Sequence, residues 1–271
     1  MEIQSLKLVC FSPTGTTKKV IKSIGHGINL SNVELIDITR IEVREHSLHT
    51  SKNELLIVAV PVYMGRVPSI LLDWLNLIRA DNTPTICVVV YGNRAYENAL
   101  LELKDILIKS GCNIFAGAAF IGEHSFSSAE LPSSVGRPDV SDLNQAVLFG
   151  QKIIETLQFV QTVDQFGDID LPGNYPYGGT TNLWHIDFIA VSSECIQCCL
   201  CAECCPVGAI NPEKSNLIDT DRCALCCACI KCCPQNARTM KVGLMKDAAI
   251  RCHENFKERK EPESFFSTIW N

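Results

Sequence analysis

No apolar run in this sequence approaches the roughly 18 residues that a membrane helix needs. The longest, LLIVAVPVYMG (55–65) and TICVVVY (85–91), fall far short. The start, MEIQSLKLVCF, lacks the basic region, apolar core and small-residue cleavage site of a signal peptide. Basic charge is not in surplus: 24 Lys and Arg against 30 Asp and Glu leave −6. That balance argues against nucleic acid and anionic membrane surfaces as partners. Neither G-x-x-x-x-G-K-[ST] nor a G-x-G-x-x-G following a strand occurs, so a nucleotide-triphosphate loop and a Rossmann dinucleotide site have no support. With 46% hydrophobic and 20% charged residues, the chain reads as a soluble globular protein of the cytoplasm. Thiols stay reduced there, which excludes a disulfide framework as the meaning of its 16 cysteines.

Those cysteines are unevenly spread. Cys10, Cys87, Cys112 and Cys252 are isolated, and the first three read as small buried hydrophobes. The other twelve fall in CIQCCLCAECCP (195–206) and CALCCACIKCCP (223–234).

The cysteine-poor body alternates short apolar runs with helix-period segments. Residues 6–11, 33–38, 55–60, 85–91 and 113–121 read as strands buried on both faces. Helical stripes lie between them: Val20, Ile21, Ile24 and Ile28; Ile70, Trp74, Leu75 and Ile78; Leu100, Leu103 and Leu107, stopped by Gly111. A last helix after RPD turns Leu143, Val147, Gly150, Ile154 and Leu157 inward. Short strand–helix connections predict a parallel sheet with helices on both faces, in the order 2-1-3-4-5.

Ligands of such sheets bind at the carboxyl ends of the strands. SPTGTTKK (12–19) follows the first strand and offers hydroxyls, a glycine and helix-start N–H groups, a cradle for an anion. The plainer alternative is a Ser/Thr-rich turn that caps a helix. PVYMGRVP (61–68) and YGNRAYEN (91–98) each mix glycine, tyrosine and arginine, which suits a flat amphipathic ring. GEHSFSS (122–128) follows the fifth strand; its His124 reads as solvated or as a further ring neighbour.

On SPTGTT, residues 4–160 resemble the flavodoxin family. The resemblance implies that Ser12, Thr14, Gly15, Thr16 and Thr17 bind the phosphate of FMN. It places Pro61, Val62, Tyr63, Met64, Gly65, Tyr91, Gly92, Asn93 and Arg94 around the ring. The two ring loops lack the tryptophan common in small flavodoxins, which leaves Tyr63, then Tyr96, as stacking candidates.

Both cysteine runs read C-x2-C-x2-C-x3-C-P, the spacing of bacterial two-cluster ferredoxins, which residues 186–242 resemble. That resemblance implies two [4Fe–4S] clusters with crossed fourth ligands. One set is Cys195, Cys198, Cys201 and Cys233; the other is Cys223, Cys226, Cys229 and Cys205. Zinc ribbons use C-x2-C pairs, but leave the third cysteine and the proline unexplained. Cys199, Cys204, Cys227 and Cys232 are surplus, either packing residues or spare, redox-sensitive thiols.

The expected organisation is a flavodoxin-like FMN domain (1–162), a turn-rich linker (163–185), a small α+β two-cluster ferredoxin domain (186–244) and a charged tail (245–271). FFSTIW at the tail's end is apolar enough to dock on one domain. The whole resembles the ferredoxin–flavodoxin fusion proteins of anaerobes. The implied function is low-potential electron transfer between clusters and FMN, coupling one- and two-electron redox partner proteins. The alternatives are a flavin-dependent reductase of a small molecule beside Tyr63, Arg66 and Arg94, fed by its own clusters, and a redox or metal sensor.

Overall fold

A computed structural model describes residues 1–179 and 185–270. The first part runs β1 (Ser5–Cys10), α1 (Thr16–Ile28), β2 (Val33–Asp37), β3 (Leu48–Thr50), β4 (Glu54–Pro61) and α2 (Leu72–Leu75). It continues through β5 (Ile78–Ala80), β6 (Thr83–Tyr91), α3 (Ala99–Lys109), β7 (Cys112–Ile121) and α4 (Val140–Gln158). Five of these strands form one parallel sheet in the order β2-β1-β4-β6-β7. This is the flavodoxin-like order, and it turns the loops after β1, β4, β6 and β7 toward one edge.

Central strands are apolar because both of their faces are covered. α1 and α4 lie over Leu6, Leu8, Ile57 and Val88, while α2 and α3 lie over Val9, Val58, Val60 and Val89. β2 is different: it sits at the edge and is half-exposed or exposed, although its sequence reads like the others. α4 buries Ala146, Phe149, Ile153 and Leu157, a face turned about one residue from the expected stripe. The cause is its close crossing with α1. A Cβ on Gly150 would lie 2.2 Å from the Ile24 carbonyl oxygen, and one on Gly27 would lie 2.0 Å from that of Val147. The Ile70–Ile78 stripe is not one helix. A 3-10 turn (Ser69–Leu71) leads into the single turn of α2, and Ile78 belongs to β5, paired in parallel with β3.

The C-terminal part contains β8 (Ile189–Val191), α5 (Leu200–Glu203), α6 (Ala228–Lys231) and β9 (Arg238–Met240), with β8 and β9 antiparallel. α7 (Leu244–Asn255) and β10 (Glu263–Phe266) follow. β10 pairs antiparallel with β7 and adds a sixth strand to the main sheet. Residues 163–179 also pack on the first part: Ile169 and Leu171 are buried in its core, and Arg66 lies 4.8 Å from the Tyr177 ring centre. The rest of the turn-rich segment, 180–184, lies outside the described residues. Among the described residues, no helix is long and apolar enough to cross a membrane.

Phe188, Ile189, Leu225, Cys227 and Met245 form a small separate core, and Phe126 from the loop after β7 packs onto it. Lys231 binds Glu123 at 2.6 Å and the Ser127 carbonyl at 2.7 Å. The cysteine-rich part therefore sits on the carboxyl edge of the sheet.

Candidate functional site

At that edge lies a cavity of about 630 Å³, within the ~300–1,000 Å³ usual for small-molecule sites. Ser12, Thr14, Thr16 and Thr17 line it. The Ser12 hydroxyl accepts from the Lys18 N–H at 3.0 Å, and Lys18 itself is held by Asp37 at 2.8 Å. One hydroxyl of the loop is thus committed to the start of α1. Thr17 is not committed: it is 1% exposed and its Oγ1 has no hydrogen-bond partner. Gly15 does not line the cavity; it turns the chain at φ 86°, a left-handed conformation that glycine adopts without strain. Of the first-turn N–H groups, Lys18 donates to Ser12 Oγ and Lys19 to the Gly15 carbonyl, which leaves the buried Thr17 hydroxyl and the N–H groups of Thr16 and Thr17 facing one space.

Of the ring-loop candidates, Pro61, Val62, Tyr63, Met64, Tyr91, Gly92 and Arg94 line the same cavity. Tyr63 is half-buried. Burial and the nearby Cys226, Cys227 and Cys223 push its hydroxyl far above the ordinary pKa. Arg94 is paired with Glu97 at 2.6 Å. Three candidates and one neighbour point elsewhere. Tyr96 is buried against Tyr91 and donates to Glu263 at 3.1 Å. Asn93 donates to the carbonyls of Phe256 and Glu258, both at 2.8 Å. Gly65 stands against Glu97, and Arg66 forms a forked pair with Glu102 at 2.6 and 2.8 Å.

The sequence gives little warning of the opposite wall. α7 contributes Met245, Ala248, Arg251, Cys252 and Asn255, and the second cysteine run contributes Ala224 and Leu225. Cys252 Sγ lies 3.6 Å from His124 Nε2, and the Phe126 N–H donates to His124 Nδ1 at 3.1 Å. Burial, with Arg94 and Lys231 nearby, lowers His124 to about 4, so its ring is neutral at pH 7. Burial also raises the Cys252 thiol, which is no ready nucleophile.

Two smaller cavities collect the cysteines. Cys195, Cys198, Cys201 and Cys233 line one, with Cys199 beside them. Cys205, Cys223, Cys226 and Cys229 line the other, with Cys227 beside them. The two runs share one backbone design. Gln197 and Cys199 in the first, and Leu225 and Cys227 in the second, all have φ between 52° and 61°. A left-handed residue with a side chain costs roughly 1–2 kcal/mol, so the repeated strain marks a built feature. Among the described residues, no three His, Cys, Asp or Glu side chains come together as a single-ion site. A cuboidal cluster differs, because each thiolate binds a separate iron around the cluster's periphery.

Charge fits an anionic occupant. Arg238 is 2% exposed, lines the first cavity and donates to the Ser215 carbonyl. Its Nη1 has no partner, and no carboxylate among the described residues pairs with it. A lone buried cation is costly; four thiolates on an iron–sulfur core would answer its charge. In the second cavity, burial pushes Cys226 well up and Cys229 to about 12, so bare thiolates are disfavoured there without metal charge. Two of the surplus thiols are engaged by backbone: Cys199 donates to the Pro212 carbonyl at 2.8 Å, and Cys232 to that of Leu200 at 3.7 Å.

Solved structures similar to this chain include oxidised Flavodoxin 1 from Bacillus cereus, 17% identical, covering 56% of this chain and 97% of that one at TM-score 0.41. Another is the Fusobacterium nucleatum flavodoxin bound to flavin mononucleotide, 15% identical, covering 58% and 98% at TM-score 0.39. The Flv1 flavodiiron core of Synechocystis sp. is 14% identical, covering 59% of this chain and 37% of that one at TM-score 0.40. No family model and no curated protein matches the sequence.

Proposed function

We propose that the chain is an electron-transfer protein that holds FMN in the large cavity and a [4Fe–4S] cluster in each small one. The observation that carries this reading is the sorting of the cysteines. Besides one surplus cysteine, each small cavity is lined by the three spaced cysteines of one run and the fourth of the other, the crossed sets that the ferredoxin spacing implies. Thr17 Oγ1 and the N–H groups of Thr16 and Thr17 supply donors for the phosphate. Tyr63, Met64 and Arg94 would face the ring. FMN accepts or releases one or two electrons and the clusters one each, so the protein would couple one-electron to two-electron partners. Ala224 lines both the large cavity and the second small one, and the second run's fixed position would remove a diffusional step.

A second reading, reductase of a small molecule, is favoured by the extension of the large cavity to Arg251, Cys252 and His124. The two readings diverge in one anaerobic experiment. Loaded with iron, sulfide and FMN, the carrier should be reduced promptly by a low-potential ferredoxin and only slowly by NADH or NADPH. Fast, saturable reduction by NADPH followed by turnover of a small acceptor would overturn the carrier reading.

A further inference from the structure

Although the two runs share a backbone design, their surroundings are opposite. Ala224 is 1% exposed and lines both the large cavity and that of Cys205, Cys223, Cys226 and Cys229. Its counterpart in the first run, Ile196, also lines its own run's small cavity but is 64% exposed and does not reach the large one. Cys226 is buried where Cys198 is exposed. Among the described residues lining the large cavity, Ala224 and Leu225 of the second run stand with Tyr63, and none comes from the first run.

We propose that the two cluster sites are electron stations of unequal rank. The Cys205, Cys223, Cys226 and Cys229 site is the inner station, exchanging with the flavin across Ala224 and Tyr63. The Cys195, Cys198, Cys201 and Cys233 site is the outer station, open to external one-electron donors. This rests on the reading of the cavities as cluster and flavin sites. The outer site's cysteines would hold a cluster that takes single electrons from a low-potential iron–sulfur protein, and the inner site's cysteines one that passes them on; two electrons and one proton from solvent would balance reduction of the flavin by two electrons.

The matched substitutions Ala224→Phe and Ile196→Phe test this in the anaerobically loaded full chain, read by iron and flavin content. Ile196→Phe should leave both at wild-type level. Ala224→Phe should lose flavin and inner iron and retain about four irons. Cys226→Ser and Cys198→Ser add a kinetic readout on mixing with a reduced ferredoxin. In Cys226→Ser the remaining cluster should bleach while flavin bleaching is lost; in Cys198→Ser bleaching of both remaining centres should be slowed. Equal effects of the two Phe substitutions, or wild-type flavin bleaching in a Cys226→Ser protein that keeps its outer irons and its flavin, would overturn the ranking. Wild-type protein that takes up iron but no FMN would instead overturn the functional reading beneath it.

Discussion

The first and second cysteine runs show how one motif serves two environments. Their cysteine spacing, left-handed positions, single helical turns and closing prolines coincide. Their spacers do not. Ile196, Gln197 and Leu200 in the first correspond to Ala224, Leu225 and Ala228 in the second. Leu200 is 43% exposed and Ala228 only 1%. The cysteines set the local fold, and the residues between them decide which copy packs against the sheet. Small apolar spacers let the second run sit flush against the loops after β4 and β7.

The largest effect expected is at Arg238, whose buried charge lies beside the first cavity. Removing one partner of a buried charge pair costs about 3–5 kcal/mol. Arg238→Met should therefore destabilise the cluster-loaded protein by that order in denaturant titrations, yet leave the metal-free chain unchanged or more stable. Destabilisation of the metal-free chain alone would mean that the cluster is not its counter-charge.

Next in size is His124, which joins α7 to the loop that carries the second run's contacts. Its folded pKa of about 4 lies below the ordinary 6.5. As pH falls from about 6.5 toward about 4, the unfolded chain takes up a proton that the folded ring refuses, and stability declines. The loss is on the order of 3 kcal/mol. His124→Gln should flatten that acid limb of the stability profile. An unchanged limb would place the proton uptake elsewhere.

The smallest effect concerns the surplus thiols. Cys227 is 2% exposed in the small apolar core, whereas Cys199 is half-exposed with its thiol on a carbonyl. Cys227→Ser should cost about 1–3 kcal/mol by burying a hydroxyl that lacks a good acceptor. Cys199→Ser should stay within about 0.5 kcal/mol. Iron content should be unchanged in both. Equal costs would erase the contrast between the runs.

The sheet was legible because its signals are local. Each strand is a short β-rich run, and Val20, Ile21, Ile24 and Ile28 keep the helical period that α1 buries. The loop at 12–19 and the C-x2-C-x2-C-x3-C-P spacing of each run are likewise written in contiguous residues. What stayed hidden depends on contacts between distant residues. β10 pairs with a strand more than 140 residues earlier, and nothing in ESFF announces that partner. α7 has a thin stripe of Met245, Ala249 and Cys252 among charged residues, so it reads as tail. Tyr96 and Arg66 look like ring neighbours until Glu263 and Glu102 claim them. The small apolar spacers of the second run, Ala224 and Ala228, already mark it as the buried copy.

What the three cavities hold decides the function, and the composition of protein purified anaerobically tests it most directly. Iron, acid-labile sulfide and flavin should approach eight, eight and one per chain, that is about two [4Fe–4S] clusters and one FMN. Stoichiometric zinc without sulfide, or a fully loaded chain with no flavin, would contradict it.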